Sequence, residues 1–157
     1  MPMRRILALL AALLLACAAL PSCAETATGA SVKAVFINVG KADSALFLLD
    51  GHAYLIDTGT KDSADAMLRA LAAYGVGKLD GVIITHTDKD HAGGLKALLE
   101  SDVEVSCLYA ASLYYEKSEE KHPVVKNAEK FDIPAVWLDA GNIIEVDAQT
   151  RFLALGP

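Results

Sequence analysis

Thr85-His86-Thr87-Asp88-Lys89-Asp90-His91-Ala92-Gly93-Gly94 places four metal-capable side chains, His86, Asp88, Asp90 and His91, within six residues. The stretch follows the short apolar run Val82 to Ile84 and leads into a segment with helical spacing. A strand end fixes where the chain emerges, and the loop beyond it can aim alternate side chains at one point. Two imidazoles with two carboxylates suit borderline or hard divalent ions such as Zn²⁺ or Mn²⁺. Asp and Thr are ordinary turn residues, but a plain polar turn does not account for two His and two Asp at this density. Gly93-Gly94 lets the following helix start close to the sheet or to the loop, since a residue without Cβ admits near contact.

Outward from this loop the chain reads as alternating strands and helices. Val32 to Val39, Ser44 to Leu49 and Ala53 to Ile56 read as strands, the last two joined at Asp50-Gly51 as a hairpin. Asp62 to Tyr74 carries Ala66, Met67, Ala70, Leu71 and Tyr74 at helical spacing, with Thr60 or Asp62 as cap and Gly75 or Gly77 as stop. Leu79 to Ile84 reads as a strand buried on both faces, His91 to Glu100 as a helix, and Val103 to Tyr109 as a strand that contains Cys107 as a small core residue. Ser112 to Lys130 is polar, is broken by Pro123 and predicts one or two short surface helices. Ala135 to Leu138, Ile143 to Val146 and Arg151 to Leu155 close the chain as strands, with a turn over Asp139 to Asn142. The pattern predicts a mixed sheet with helices packed outside, an α/β domain.

The first twenty-odd residues are of another kind. Arg4-Arg5 precedes an almost pure Leu/Ala run from Ile6 to Leu20, the charged and apolar regions of an export signal. The run is shorter than the roughly 18 apolar residues of a spanning helix. Leu20-Pro21-Ser22-Cys23 resembles the lipobox of bacterial lipoproteins, which makes Cys23 the candidate lipidation site. Residues 1–23 are therefore expected to be a lipoprotein-type signal peptide and 24–31 a linker. The mature protein is expected outside the cytoplasm, anchored to the membrane through lipid. With Cys23 lipidated, Cys107 has no partner for a disulfide in the mature chain.

The chain of 157 residues has a formal charge of -6, and the leader holds Arg4 and Arg5 without an acid. The remainder is thus more negative still, has no basic stripe, and offers no electrostatic track for nucleic acid. No Ser stands in a G-x-S-x-G elbow, which leaves a nucleophilic-serine mechanism without support. Asp88-Lys89-Asp90 lacks the later acidic positions and central Gly of a calcium loop. His52 and His122 read as solvent-exposed loop residues. Tyr109, Tyr114 and Tyr115 are candidates for a substrate cleft, although adjacent tyrosines diverge on a helix.

Thr85 to His91 resembles the H-x-H-x-D-H signature of metallo-β-lactamase-fold hydrolases, with Asp88 where the second His usually stands. The form with Asp there and a Gly pair after it is similar to the extracellular hydrolase domain of competence ComEC proteins. Val39-Gly40-Lys41-Ala42-Asp43-Ser44 resembles the V-G-Q-G-D-S turn of that subfamily, with Lys41 and Ala42 replacing Gln and Gly. Leu55-Ile56-Asp57-Thr58-Gly59 resembles its I-D-T-G segment, and Phe152 to Pro157 its L-G-P strand end. The resemblance implies an αββα sandwich, of which residues 32–157 are expected to be the N-terminal portion only. By the same resemblance, the bridging Asp and later His of the family are expected to lie beyond Pro157.

The resemblance further implies that His86 and Asp88 bind one metal and that Asp90 and His91 bind a second. It also implies a catalytic role for Asp90 and a supporting one for Asp57, which would hold the loop through hydrogen bonds. Asp43-Ser44 is implied to approach the same site, though both are equally ordinary turn residues. The complete domain is expected to hold two divalent ions, Zn or Mn, which activate water for attack on a phosphodiester, in a small molecule or in nucleic acid. A rival reading from another class is a surface lipoprotein fragment that binds metal without turnover. Nothing in the sequence sets an oligomeric state.

Overall fold

Asp50 and Gly51 both take positive φ, 45° and 94°, the backbone a two-residue hairpin needs to follow the right-handed twist of its strands. They join β2 (Ala45–Leu49) to β3 (His52–Ile56) in a computed structural model that describes residues 31–112 and 122–156. The export signal, Cys23, the linker up to residue 30, and Tyr114 and Tyr115 lie outside the described residues. β1 (Val32–Phe36) pairs antiparallel with β2. β5 (Gly81–Ile84), β7 (Leu108–Ala111) and β8 (Ala135–Leu138) extend the sheet in parallel beyond β3. The mixed sheet thus runs β1-β2-β3-β5-β7-β8.

The side-chain period of two sends apolar residues to both faces. Leu46, Ala53, Leu55, Val82, Ile84, Leu108 and Ala110 face the helices. Phe47, Leu49, Tyr54, Ile83 and Tyr109 face the other way. On the first face lie α1 (Ala64–Ala73), through Met67 and Leu71, and α3 (Leu95–Leu99), through Leu95 and Leu98. α4 (Pro123–Phe131) adds Val124 and Ala128 there. Each fully buried Leu or Met here stabilises the fold by about 1.5–3 kcal/mol. The second face is covered by the antiparallel pair β9 (Ile143–Glu145) and β10 (Arg151–Leu153), through Ile144 and Phe152. The Phe152 ring packs 5.8 Å from Phe47 and 5.1 Å from Tyr54. The sequence-predicted α/β class and the mixed sheet with outer helices are what the chain forms.

Several boundaries depart from the sequence reading for local reasons. β1 ends at Phe36, not Val39, because Ile37 N–H donates to Ser44 O at 2.9 Å and closes a loop through Gly40 at φ 79°. The strand expected over Leu79 to Ile84 splits into β4 (Lys78–Leu79) and β5. Asp80 sits at the break, where its N–H and carboxylate engage Ala53 O and Ala53 N at 2.8 and 2.9 Å. That carboxylate also lies 3.3 Å from His52 Nδ1, so His52 is half-exposed and partnered, not free in solvent. Val103 to Tyr109 likewise divides into β6 (Glu104–Val105), which pairs with β4, and β7. Cys107 falls in the gap and is only half-buried, a correction to its expected core position.

The predicted helix Asp62 to Tyr74 opens with a 3₁₀ turn at Lys61–Ser63, capped reciprocally by Thr60 and Ser63. It closes at Gly75, φ 70°, with Val76 N–H donating to Leu71 O at 2.9 Å. Tyr74 is exposed and does not join the apolar face. The helix expected from His91 to Glu100 is two short ones, α2 (Lys89–Ala92) and α3.

The largest correction concerns His122. The sequence reading left it in solvent, but it is 3% exposed. Pro123 does not break a helix; it begins one, since proline at the first helical position lacks only an N–H that would go unused. His122 caps that helix, its Nδ1 accepting from Val124 N at 3.1 Å and Val125 N at 3.4 Å, and its ring stands edge-on to Trp137 at 5.1 Å. Burial disfavours the imidazolium and lowers the His122 pKa. The unfolded chain then binds more protons between the folded value and the ordinary one of about 6.5. His122 therefore contributes stability that is full above about pH 6.5 and is lost as pH falls towards the folded value. Urea unfolding from pH 8 to pH 5 should show a steeper acid loss in the parent than in His122→Asn, which keeps a capping oxygen but does not titrate. Equal pH slopes would contradict the capping role.

Candidate metal centre

Parallel pairing of β3 with β5 aligns Ile56 with Ile83, so both strands end on the same side and release their loops together. Asp57 leaves β3 with φ 57°, a left-handed conformation that Asp tolerates better than most residues. Its N–H returns to Ile83 O at 2.8 Å. The side chain is 4% exposed and accepts three hydrogen bonds. Thr85 N donates to Oδ1 at 2.9 Å, Thr85 Oγ1 to Oδ2 at 2.7 Å, and His91 Nδ1 to Oδ2 at 2.8 Å. A buried carboxylate with that many donors fixes the loop rather than floating beneath it.

The loop then folds back on itself. Asp88 O accepts from His91 N at 3.0 Å and Ala92 N at 2.9 Å, which starts α2 and turns Asp90 and His91 towards His86. Thr58 clamps the His91 carbonyl with its N–H at 2.7 Å and its hydroxyl at 2.9 Å. Gly93 and Gly94 are needed at this crossing for space, not for backbone angle. A Cβ on Gly94 would lie 2.2 Å from Thr58 O, and one on Gly93 would lie 2.2 Å from Lys89 O and 2.8 Å from Lys61 N. The sequence reading of the Gly pair as a close contact is met, and the partner is the 57–61 loop.

His86, Asp90 and His91 each present a ligand atom within 4.8 Å of the other two. The two imidazoles lie 3.7 Å apart between centroids, tilted by 45°. Asp88 stands outside this group but lies 3.6 Å from His86 Nε2. Thus three of the four loop residues named from the sequence converge, and the carboxylate of the fourth lies beside His86. With Nδ1 of His91 facing the Asp57 carboxylate, the neutral imidazole keeps its proton there and carries its lone pair on Nε2. That nitrogen faces Asp43 Oδ2 at 3.4 Å and Asp90 Oδ2 at 3.8 Å. Burial works against the His91 imidazolium, but the Asp57 hydrogen bond and the charges of Asp57, Asp90 and Asp43 outweigh it and raise its pKa. Two imidazoles and a carboxylate converging on one point, one imidazole oriented by a buried acid, is a donor set that fits a divalent ion.

The sequence reading left Asp43 evenly weighed and took no account of the Thr85 or Thr58 hydroxyls. Thr85 was legible only as the first letter of the loop. Its hydroxyl lies within 3.2 Å of His86 Nδ1 and 3.4 Å of His91 Nδ1, besides its bond to Asp57. Tyr109, considered for a substrate cleft, packs on the hairpin face of the sheet beside Leu138 and Phe152.

A family model described as the metallo-beta-lactamase superfamily matches residues 37–156. A protein of Bacillus subtilis (strain 168) described as "Probable metallo-hydrolase YybB" is 35% identical over 79 residues, 49% of this chain and 34% of that protein. Among solved structures, the peroxy diiron species of the chemotaxis sensor ODP superposes with a TM-score of 0.57 at 18% identity, over 78% of this chain and 48% of that one. A diphosphatase from the PhnP family gives a TM-score of 0.50 at 24% identity, over 71% of this chain and 41% of that one. The chain therefore spans about a third of the curated relative and under half of either solved structure.

Proposed function

The chain belongs to the metallo-β-lactamase superfamily, and from that premise we propose that it is a metal-dependent hydrolase of phosphodiester bonds, similar to the ComEC hydrolase domain. The observation that carries the reading is the convergence of His86, Asp90 and His91 at the ends of two parallel strands, with Asp57 buried behind them. Asp88 supports the phosphodiester side of it. Where β-lactam-hydrolysing relatives generally keep an imidazole at that position, a carboxylate makes the centre harder and richer in oxygen, which widens the choice from Zn²⁺ to Mn²⁺.

His86, Asp88, Asp90 and His91 are the residues that would hold the ions, two in the complete domain. When bound, such ions supply Lewis acidity towards a water nucleophile and a phosphoryl oxygen. The chain's own groups do the rest. Asp57 keeps the His91 proton on Nδ1 and so keeps Nε2 a ligand. Asp90, half exposed within the cluster, would accept a hydrogen bond from the attacking water. With a formal charge of -6, the protein repels a phosphodiester until cations occupy the site. Export through the Arg4-to-Leu20 leader and lipidation at Cys23 would put this activity at the outer face of a membrane.

The test is hydrolysis of bis(p-nitrophenyl) phosphate by the metal-loaded full-length protein, with nitrocefin as the β-lactam control. Turnover of the phosphodiester, a fall of about 10³-fold in His86→Ala, equivalent to about 4 kcal/mol, and inertness towards nitrocefin are the expected results. Stoichiometric metal with no phosphodiester turnover in the parent would overturn the hydrolase reading in favour of metal binding alone.

A further inference from the structure

We infer that Asp43 is a further oxygen donor of this metal centre and tilts it towards harder divalent ions. The inference rests on the metal reading above and extends it to a residue from a different loop. Asp43 belongs to the Val39–Ser44 turn, which is distant in sequence from the His86–His91 loop but sewn to it. Asp43 N donates to Asp90 O at 3.1 Å, and Asp43 O accepts from Gly59 N at 2.9 Å. The Asp43 backbone is thus tied at once to the metal loop and to the Asp57–Gly59 segment, so its Cα is fixed relative to both. Ser44, the next residue, is buried at 6% exposure and anchors the turn below.

From that fixed point the carboxylate reaches the face of His91 on which a ligand would sit. Asp43 Oδ2 lies 3.4 Å from His91 Nε2, nearer than Asp90 Oδ2 at 3.8 Å. Two donors sharing an ion at metal–ligand distances of about 2.0–2.2 Å and a tetrahedral angle stand about 3.4 Å apart, so the spacing suits a shared ion. The side chain is 73% exposed, which leaves it free to adjust, and its only recorded ion-pair partner among the described residues is His91. A simple ion pair with protonated His91 explains the same distance in the absence of metal but leaves metal preference unaffected. Adding this carboxylate to Asp90 and Asp88 raises the oxygen share of the donors, which favours Mn²⁺ relative to Zn²⁺.

The experiment is isothermal titration of Mn²⁺ and of Zn²⁺, separately, into the metal-free full chain, Asp43→Asn and Asp43→Glu, with thermal melts of each. The expected result is at least tenfold weaker Mn²⁺ binding in Asp43→Asn and less than threefold weaker Zn²⁺ binding. Asp43→Glu should recover most of the Mn²⁺ affinity, and the melts of the metal-free proteins should coincide. Equal weakening for both ions, or none for either, overturns the inference while leaving the centre itself in place. Failure of the parent to bind either ion overturns both the inference and the metal reading on which it rests.

Discussion

His91→Ala should abolish metal binding and destabilise the metal-free protein, whereas His86→Ala should do only the first. The two imidazoles touch, with ring centroids 3.7 Å apart, but they stand in different surroundings. The His91 side chain is 13% exposed and donates to the Asp57 carboxylate, itself 4% exposed. Removing the ring leaves a buried carboxylate short of one charge-assisted hydrogen bond, while Thr58 keeps its two bonds to the residue-91 carbonyl. Breaking a buried pair from one side costs about 3 kcal/mol. His86 is 48% exposed, Thr85 beside it has Asp57 as a better partner, and Asp88 beside it is in solvent. Its loss should cost less than about 0.5 kcal/mol, as for surface substitutions generally. Elemental analysis after dialysis against Mn²⁺ or Zn²⁺, beside urea unfolding in chelator, separates the two effects. Retained metal in His91→Ala, or equal stability in both variants, would refute the division of roles.

What the sequence disclosed and what it hid follow from the same physics. The metal loop was legible because its chemistry is dense and local: His86, Asp88, Asp90 and His91 lie within six residues, and no packing argument is needed to see them. The strands β2, β3, β5 and β8 are legible as short, nearly continuous apolar runs bounded by polar or turn residues. His122 was misread because its burial depends on Trp137 and the β8 edge, a contact across the fold that no local pattern carries. The break at Asp80 is hidden because a side chain bonding to a neighbouring strand looks, in sequence, like any polar residue within an apolar run. Asp43 lies between these cases. Its turn was readable, but its distance to His91 depends on hydrogen bonds that join three separated loops.

Asp57→Asn should weaken metal binding by about 10–100-fold, the usual loss when the group orienting a ligand is altered, although the variant touches no ion. Asp57 has acceptors only, and three donors aim at it: Thr85 N, Thr85 Oγ1 and His91 Nδ1. An asparagine of the same shape has one acceptor oxygen and one amide donor. With its oxygen towards Thr85 N, the amide faces His91 Nδ1, which must then give up its proton. The proton moves to Nε2, the nitrogen that faces Asp43 and Asp90, and a protonated nitrogen is no ligand. With the amide turned the other way, it opposes Thr85 N–H, donor against donor, at a cost of about 1–3 kcal/mol. Neither orientation satisfies the site. Backbone strain is not an explanation, because Asn accepts the positive φ of 57° at this position as readily as Asp. The expected signature is therefore specific: modest loss of stability, large loss of metal affinity, and a change of the His91 tautomer visible in the ¹⁵N shifts of the imidazole in the metal-free protein. Asp57→Asn binding Mn²⁺ and Zn²⁺ as tightly as the parent would show that the His91 tautomer does not govern the site.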